Sequence, residues 1–109
     1  MGGPTARDPL LGQIVAHLVR ALQPAEIYLF GSRAKANAAP SADYDILVVV
    51  EDSDLPNYRR DQAALRALRD VRAAVDVIVL TRREFDEALR APTSLPSTVR
   101  REGVRLDAA

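Results

Sequence analysis

The chain has 109 residues and not one cysteine, which excludes disulfides and thiolate metal centres. Histidine is nearly as scarce. His17 is the only one, so imidazole zinc sites and Ser-His-Asp triads have little to draw on. It falls at the edge of an apolar helical stripe and reads as a solvated side chain. Lysine also occurs once, at Lys35, and every other basic residue is arginine. Neither sign of charge is in excess: 15 basic and 15 acidic residues give a formal net charge of zero. Non-specific nucleic-acid binding leans on a positive field, so no direct nucleic-acid partner is expected. No apolar run is long enough to span a bilayer, and the N-terminus lacks the hydrophobic stretch of a signal peptide. A cytoplasmic protein without a membrane partner is the expectation.

What is present has an ordinary globular balance, with 48% hydrophobic and 28% charged residues. The length suits one domain with one core. Residues 1–109 therefore read as a single unit with a loose lead-in over 1–9. Leu10, Leu11, Ile14, Val15, Leu18, Val19 and Leu22 share one helical stripe, with Asp8 as cap, Pro9 in the first turn and Pro24 as the stop. Ala25–Phe30 reads as a buried strand, Gly31–Lys35 as a short helix and Asn37–Ala42 as a small-residue loop. Asp43–Val50 reads as a second strand whose continuous apolar tail implies cover on both faces.

Residues 56–73 carry a helical pattern. Tyr58, Leu65, Leu68 and Val71 are expected on its inner face. Arg59, Arg60, Arg66, Arg69 and Arg72 form an outer one, read as solvated, with partner docking as the competing role. Val75–Leu80 reads as a third strand. Thr81-Arg82-Arg83-Glu84 fits a capping box that opens a helix to about Arg90. A turn over Ala91–Pro96, a helix over Ser97–Glu102 stopped by Gly103, an edge strand over Val104–Leu106 and a frayed Asp107–Ala109 complete the chain. The alternation gives a small α/β (α+β) domain with a mixed β-sheet and helices packed on one side.

Two features meet between Phe30 and Val50. A Gly31-Ser32 step follows one apolar run, and Asp43 and Asp45 open the next. Strand residues two apart point to the same face, so the two carboxylates can stand side by side at a strand end. Such hard oxygen ligands suit Mg2+. A helix started at Gly31-Ser32 would offer free N–H groups to phosphate. Asp76 is a lone acid inside the third apolar run. A buried unpaired carboxylate is costly, and a metal shared with Asp43 and Asp45 would relieve it. The competing reading leaves Asp76 at an exposed strand start.

Gly31-Ser32, ten further residues, Asp43-Tyr44-Asp45 and a downstream Asp76 resemble the signature of the nucleotidyltransferase superfamily related to DNA polymerase beta. The short chain resembles its minimal nucleotidyltransferase (MNT) branch, whose members often act as antitoxins beside HEPN-domain toxins. The resemblance implies that fold and a magnesium-dependent transfer of AMP from ATP to a hydroxyl on a partner protein, with a HEPN-type toxin as the partner. It further implies two Mg2+ ions about 4 Å apart in an in-line displacement. Asp43 and Asp45 would hold both ions, and Asp76 would complete the site of the ion that activates the acceptor. Gly31 would let backbone approach the triphosphate, Ser32 would donate to a phosphate oxygen, and Arg33 would clamp the phosphates. Lys35 stands where relatives often carry arginine. No second domain is evident to hold an acceptor, so either a partner protein brings it or a homodimer completes the wall. Two other readings remain: an antitoxin that neutralises its toxin by binding alone, and a transferase for small molecules of the aminoglycoside type.

Overall fold

The computed structural model describes residues 8–35 and 39–106. Most of the expected lead-in, Asn37 and Ala38 of the expected loop, and the expected frayed tail lie outside those residues. Helix α1 spans Pro9–Leu22. Asp8 Oδ1 accepts from the N–H groups of Leu10 and Leu11, at 3.1 and 3.2 Å, and so caps its first turn. The helix ends where Gln23 turns left-handed and its N–H donates to Val19, just ahead of Pro24.

Strand β1 (Glu26–Phe30) leads through a single 3-10 turn (Ser32–Ala34) into β2 (Tyr44–Val50), which pairs antiparallel with it. Helix α2 (Asn57–Ala67) crosses over to β3 (Val75–Thr81), which runs parallel to β2. Helices α3 (Arg82–Ala88) and α4 (Leu95–Glu102) follow, and β4 (Val104–Arg105) closes the edge against β1. The sheet order is β3-β2-β1-β4. Thr81 and Glu84 form the expected capping box of α3, and Ser94 caps α4. Among the described residues, no helix is long and apolar enough to cross a membrane.

Alternation along β2 explains the layers. Ile46 and Val48 face α1 and α2, where Ile14, Leu18, Ala64 and Leu68 complete the larger core. Leu47 and Val49 face the other way, toward Phe85 of α3 and Val99 of α4. The Tyr28 and Phe85 rings stack there with centroids 5.9 Å apart. The mixed sheet is as expected. One-sided helix packing holds for α1 and α2, whereas α3 and α4 lie on the opposite face, because β2 is apolar on both sides and each side has to be covered.

The second helix departs from expectation. It stops at Ala67, because Leu68 and Val71 reach the core from a tight turn that reverses the chain toward β3. Its inward stripe runs through Arg60 and Ala64 rather than Tyr58 and Leu65. Tyr58 is 61% exposed and Leu65 46%, while Arg60, expected outside, is only 5% exposed. The helix is rich in alanine, so its apolar residues fit two rotational settings. The one adopted brings small Ala64 against the sheet and Arg60 onto Glu84.

Candidate active site

The parallel register of β2 and β3 places Asp45 directly beside Asp76. The antiparallel register of β1 and β2 places Asp45 opposite Phe30, the residue before Gly31. The glycine turn and the two aspartates therefore meet at one end of the sheet, on the face away from α1 and α2. Asp43 lies two residues before Asp45 and is exposed. Asp76 is exposed too, so the cost of burying a lone carboxylate is not what explains it. It stands at the second position of β3, and strand register alone brings it to Asp45.

Gly31 adopts φ 72 and ψ −157, a region held almost only by glycine. A Cβ at this position would fall 2.1 Å from Oδ2 of Asp45. The glycine thus makes room for the carboxylate itself, in addition to easing backbone approach. The expected short helix is only one 3-10 turn, so it has little macrodipole to offer a phosphate. What it does provide is local: the N–H groups of Ser32 and Arg33 occupy first-turn positions that have no internal carbonyl to bind. The Ser32 side chain is exposed beside them.

Arg33 has a role that sequence reading missed. Its Nε donates to the Ala42 carbonyl at 2.7 Å and its Nη2 to the Pro40 carbonyl at 2.6 Å. Its guanidinium also stacks 4.1 Å above the Tyr44 ring. Tyr44 points into the core, and its hydroxyl donates to Asp8 Oδ2 at 2.7 Å. Burial and the Asp8 carboxylate push the Tyr44 hydroxyl up to about 12, so it stays a donor. Burial alone would raise Asp8, but Tyr44 and the N–H groups of α1 hold it below its ordinary value. One polar chain thus runs from the glycine turn, through the loop that precedes Asp43, to the α1 cap. The signal was available in the alternation, since a tyrosine between two outward aspartates must point inward.

The electrostatics of this end of the sheet are dominated by its acids. Burial first, and then the negative charges of Asp76 and Asp43, hold the Asp45 carboxyl above its usual range. Among the described residues, no basic side chain forms an ion pair with any of the three. Among the described residues, no three acidic or imidazole side chains form a ready ligand set. Three uncompensated oxygen donors on one face fit a hard divalent cation such as Mg2+.

Comparison with known proteins bears on the family and the fold. A family model described as a nucleotidyltransferase domain matches residues 11–105. Comparison with curated protein sequences finds no match. Among solved structures, the chain resembles a protein from Sulfolobus solfataricus whose assignment as a nucleotidyltransferase is itself an inference. The two share 25% identity and a TM-score of 0.62 over 95% of this chain and 87% of the other. It also resembles a mutant of the toxin-antitoxin MntA-HpeT, with 21% identity and a TM-score of 0.57 over 90% of this chain and 73% of the other. At that identity the second likeness speaks for the fold alone. Glycine turn, paired strand-end aspartates and family match lead to one assignment: the chain belongs to the nucleotidyltransferase-domain family.

Proposed function

We propose that the protein is a magnesium-dependent nucleotidyltransferase that moves AMP from ATP to a hydroxyl on a partner protein. In this reading it is the antitoxin of a toxin–antitoxin pair with a HEPN-type toxin. The observation that carries the chemistry is the register of Asp45 with Asp76, with Asp43 on the same edge and no cation among the described side chains to neutralise them. The partner is supported by the resemblance to a toxin-antitoxin structure.

Bound metal ions supply Lewis-acid stabilisation of the phosphoryl oxygens. Asp43, Asp45 and Asp76 would hold them. The Ser32 hydroxyl and the first-turn N–H groups of Ser32 and Arg33 receive the triphosphate tail. The Arg33 guanidinium adds positive charge beside it, while its Nε and Nη2 keep the Asp43 loop in place. The acceptor oxygen bonds to the α-phosphorus, the bond to the bridging oxygen breaks, and pyrophosphate leaves. The hydroxyl proton passes to the Asp76 carboxylate, which is exposed and so can return it to water.

Radiolabelled ATP with Mg2+, with and without the protein encoded by the neighbouring gene, tests the proposal on a denaturing gel. The expected result is label on the partner that disappears in Asp43→Asn/Asp45→Asn, with the melting curve of that variant intact. Label that persists in the double variant sinks the metal assignment. A tight complex that never takes label moves the protein to neutralisation by binding.

A further inference from the structure

The face of α2 that sequence pattern assigns to the core is open to solvent. Tyr58 and Leu65 are exposed there, and Leu55, just before the helix, is 45% exposed. Leu55, Tyr58, Arg59, Gln62, Ala63 and Arg66 line a groove of about 400 Å³. Its lining holds two arginines and no carboxylate. Among the described residues, neither Arg59 nor Arg66 has a side-chain partner. Tyrosine and arginine around aliphatic contacts are the composition of protein-binding hot spots.

We propose that this groove is the docking surface for a partner protein, and that it takes an amphipathic segment whose apolar stripe is edged with aspartate or glutamate. Three observations choose this occupant. A second copy of the chain docked face to face would set Arg59 and Arg66 against arginines, which like-charge repulsion opposes. Nucleic acid would match the arginines but leave Leu55 and Ala63 without apolar cover, and the chain carries no net positive charge to draw it. An apolar segment with acidic edges satisfies Leu55, Tyr58 and Ala63 as well as the arginines, in the manner of a helix laid in a groove. The site is also compatible with catalysis. Helix α2 covers the Ile46 and Val48 face of the sheet, whereas Asp45 and Asp76 belong to the other. A partner held here leaves the carboxylates open.

The inference rests on the reading that the protein acts with a partner, and its test is arranged to separate the two. The probe is the protein encoded by the neighbouring gene, titrated against the full chain by calorimetry. Arg59→Glu/Arg66→Glu and, separately, Tyr58→Ala are each expected to weaken binding at least tenfold, with unchanged melting curves. Asp43→Asn/Asp45→Asn is expected to bind as tightly as the native chain. A photo-crosslinker at position 58 is expected to mark an acidic, amphipathic segment of the probe. Unchanged affinity in the α2 variants, no binding at all, or crosslinks to a second copy or to nucleic acid would each overturn the docking surface. A complex that needs α2 but takes no label would instead overturn only the transfer reaction.

Discussion

The two ends of the sheet treat charge in opposite ways. Where β1 starts and β3 finishes, Glu26 and Glu84 each have an arginine partner. Arg60 forms an ion pair with Glu84 at 2.6 Å and also donates to the carbonyls of Leu55 and Val79. Arg82 pairs with Glu26 at 2.6 Å, and Glu26 also accepts from the Tyr28 hydroxyl. At the other end, where β1 finishes and β2 and β3 start, Asp43, Asp45 and Asp76 stand together with no counter-charge among the described residues. The fold is fastened at the first end. The second keeps negative charge that, in the proposed function, a divalent cation would neutralise. Sites that retain such repulsion are usually less stable than they could be, and function is the reason they persist.

The contrast can be broken from the fastened end with the largest effect. Arg60→Met leaves Glu84 and two carbonyls short of their donor, and is expected to cost about 3 kcal/mol of stability by urea unfolding. Arg82→Met should cost less, about 1 kcal/mol, because the Arg82 side chain is more open to water than Arg60 and holds fewer backbone carbonyls. Equal losses in the two variants would contradict the graded burial.

At the open end, Gly31→Ala sets a methyl group against the Asp45 carboxylate and strains the backbone. The expected loss is about 1–3 kcal/mol of stability, with about a hundredfold loss of transfer activity from displacement of Asp45. Activity within twofold of native would show that the close contact is incidental.

Acidity sharpens the comparison with the smallest effects, because the ends titrate with opposite sign. The Arg60 guanidinium, and then the Thr81 N–H, hold Glu84 down at about 2 from an ordinary 4.5. Its contribution is complete above 4.5 and is lost as pH falls toward 2. Asp45 is raised above 3.8, so its ionisation costs stability as pH climbs through that window and beyond. Glu84→Gln is expected to flatten the acid limb of the stability curve. In chelator at neutral pH, Asp45→Asn is expected to raise the melting temperature. Added Mg2+ should stabilise the native chain and not this variant. A lower melting temperature for Asp45→Asn in chelator would mean that the carboxylate is structural.

Much of this was legible in the sequence because its signals are local. Asp8 and Pro9 announce a helix start, Thr81 and Glu84 a capping box, and Gly31-Ser32 with Asp43 and Asp45 the edge of a site. What was not legible depends on tertiary choice. Alanine on two sides of α2 left its rotation undecided until Arg60 found Glu84, about two dozen residues away. Arg33 looks like a phosphate clamp in sequence because loop carbonyls carry no residue signature. The exposure of Asp76 matches the competing reading of an exposed strand start, since the strand begins only one residue before it.

The parallel pairing of β2 and β3 has a kinetic consequence. Asp45 and Asp76 lie 31 positions apart and become neighbours only when the α2 crossover closes. No hairpin or single helix contains both, so the pair forms as late as that long-range contact does. An unfolded chain offers scattered aspartates and no shared cation site. A divalent cation held by the completed pair, as proposed, would act after the folding barrier: it would leave the rate of folding nearly unchanged and slow the rate at which the native chain comes apart.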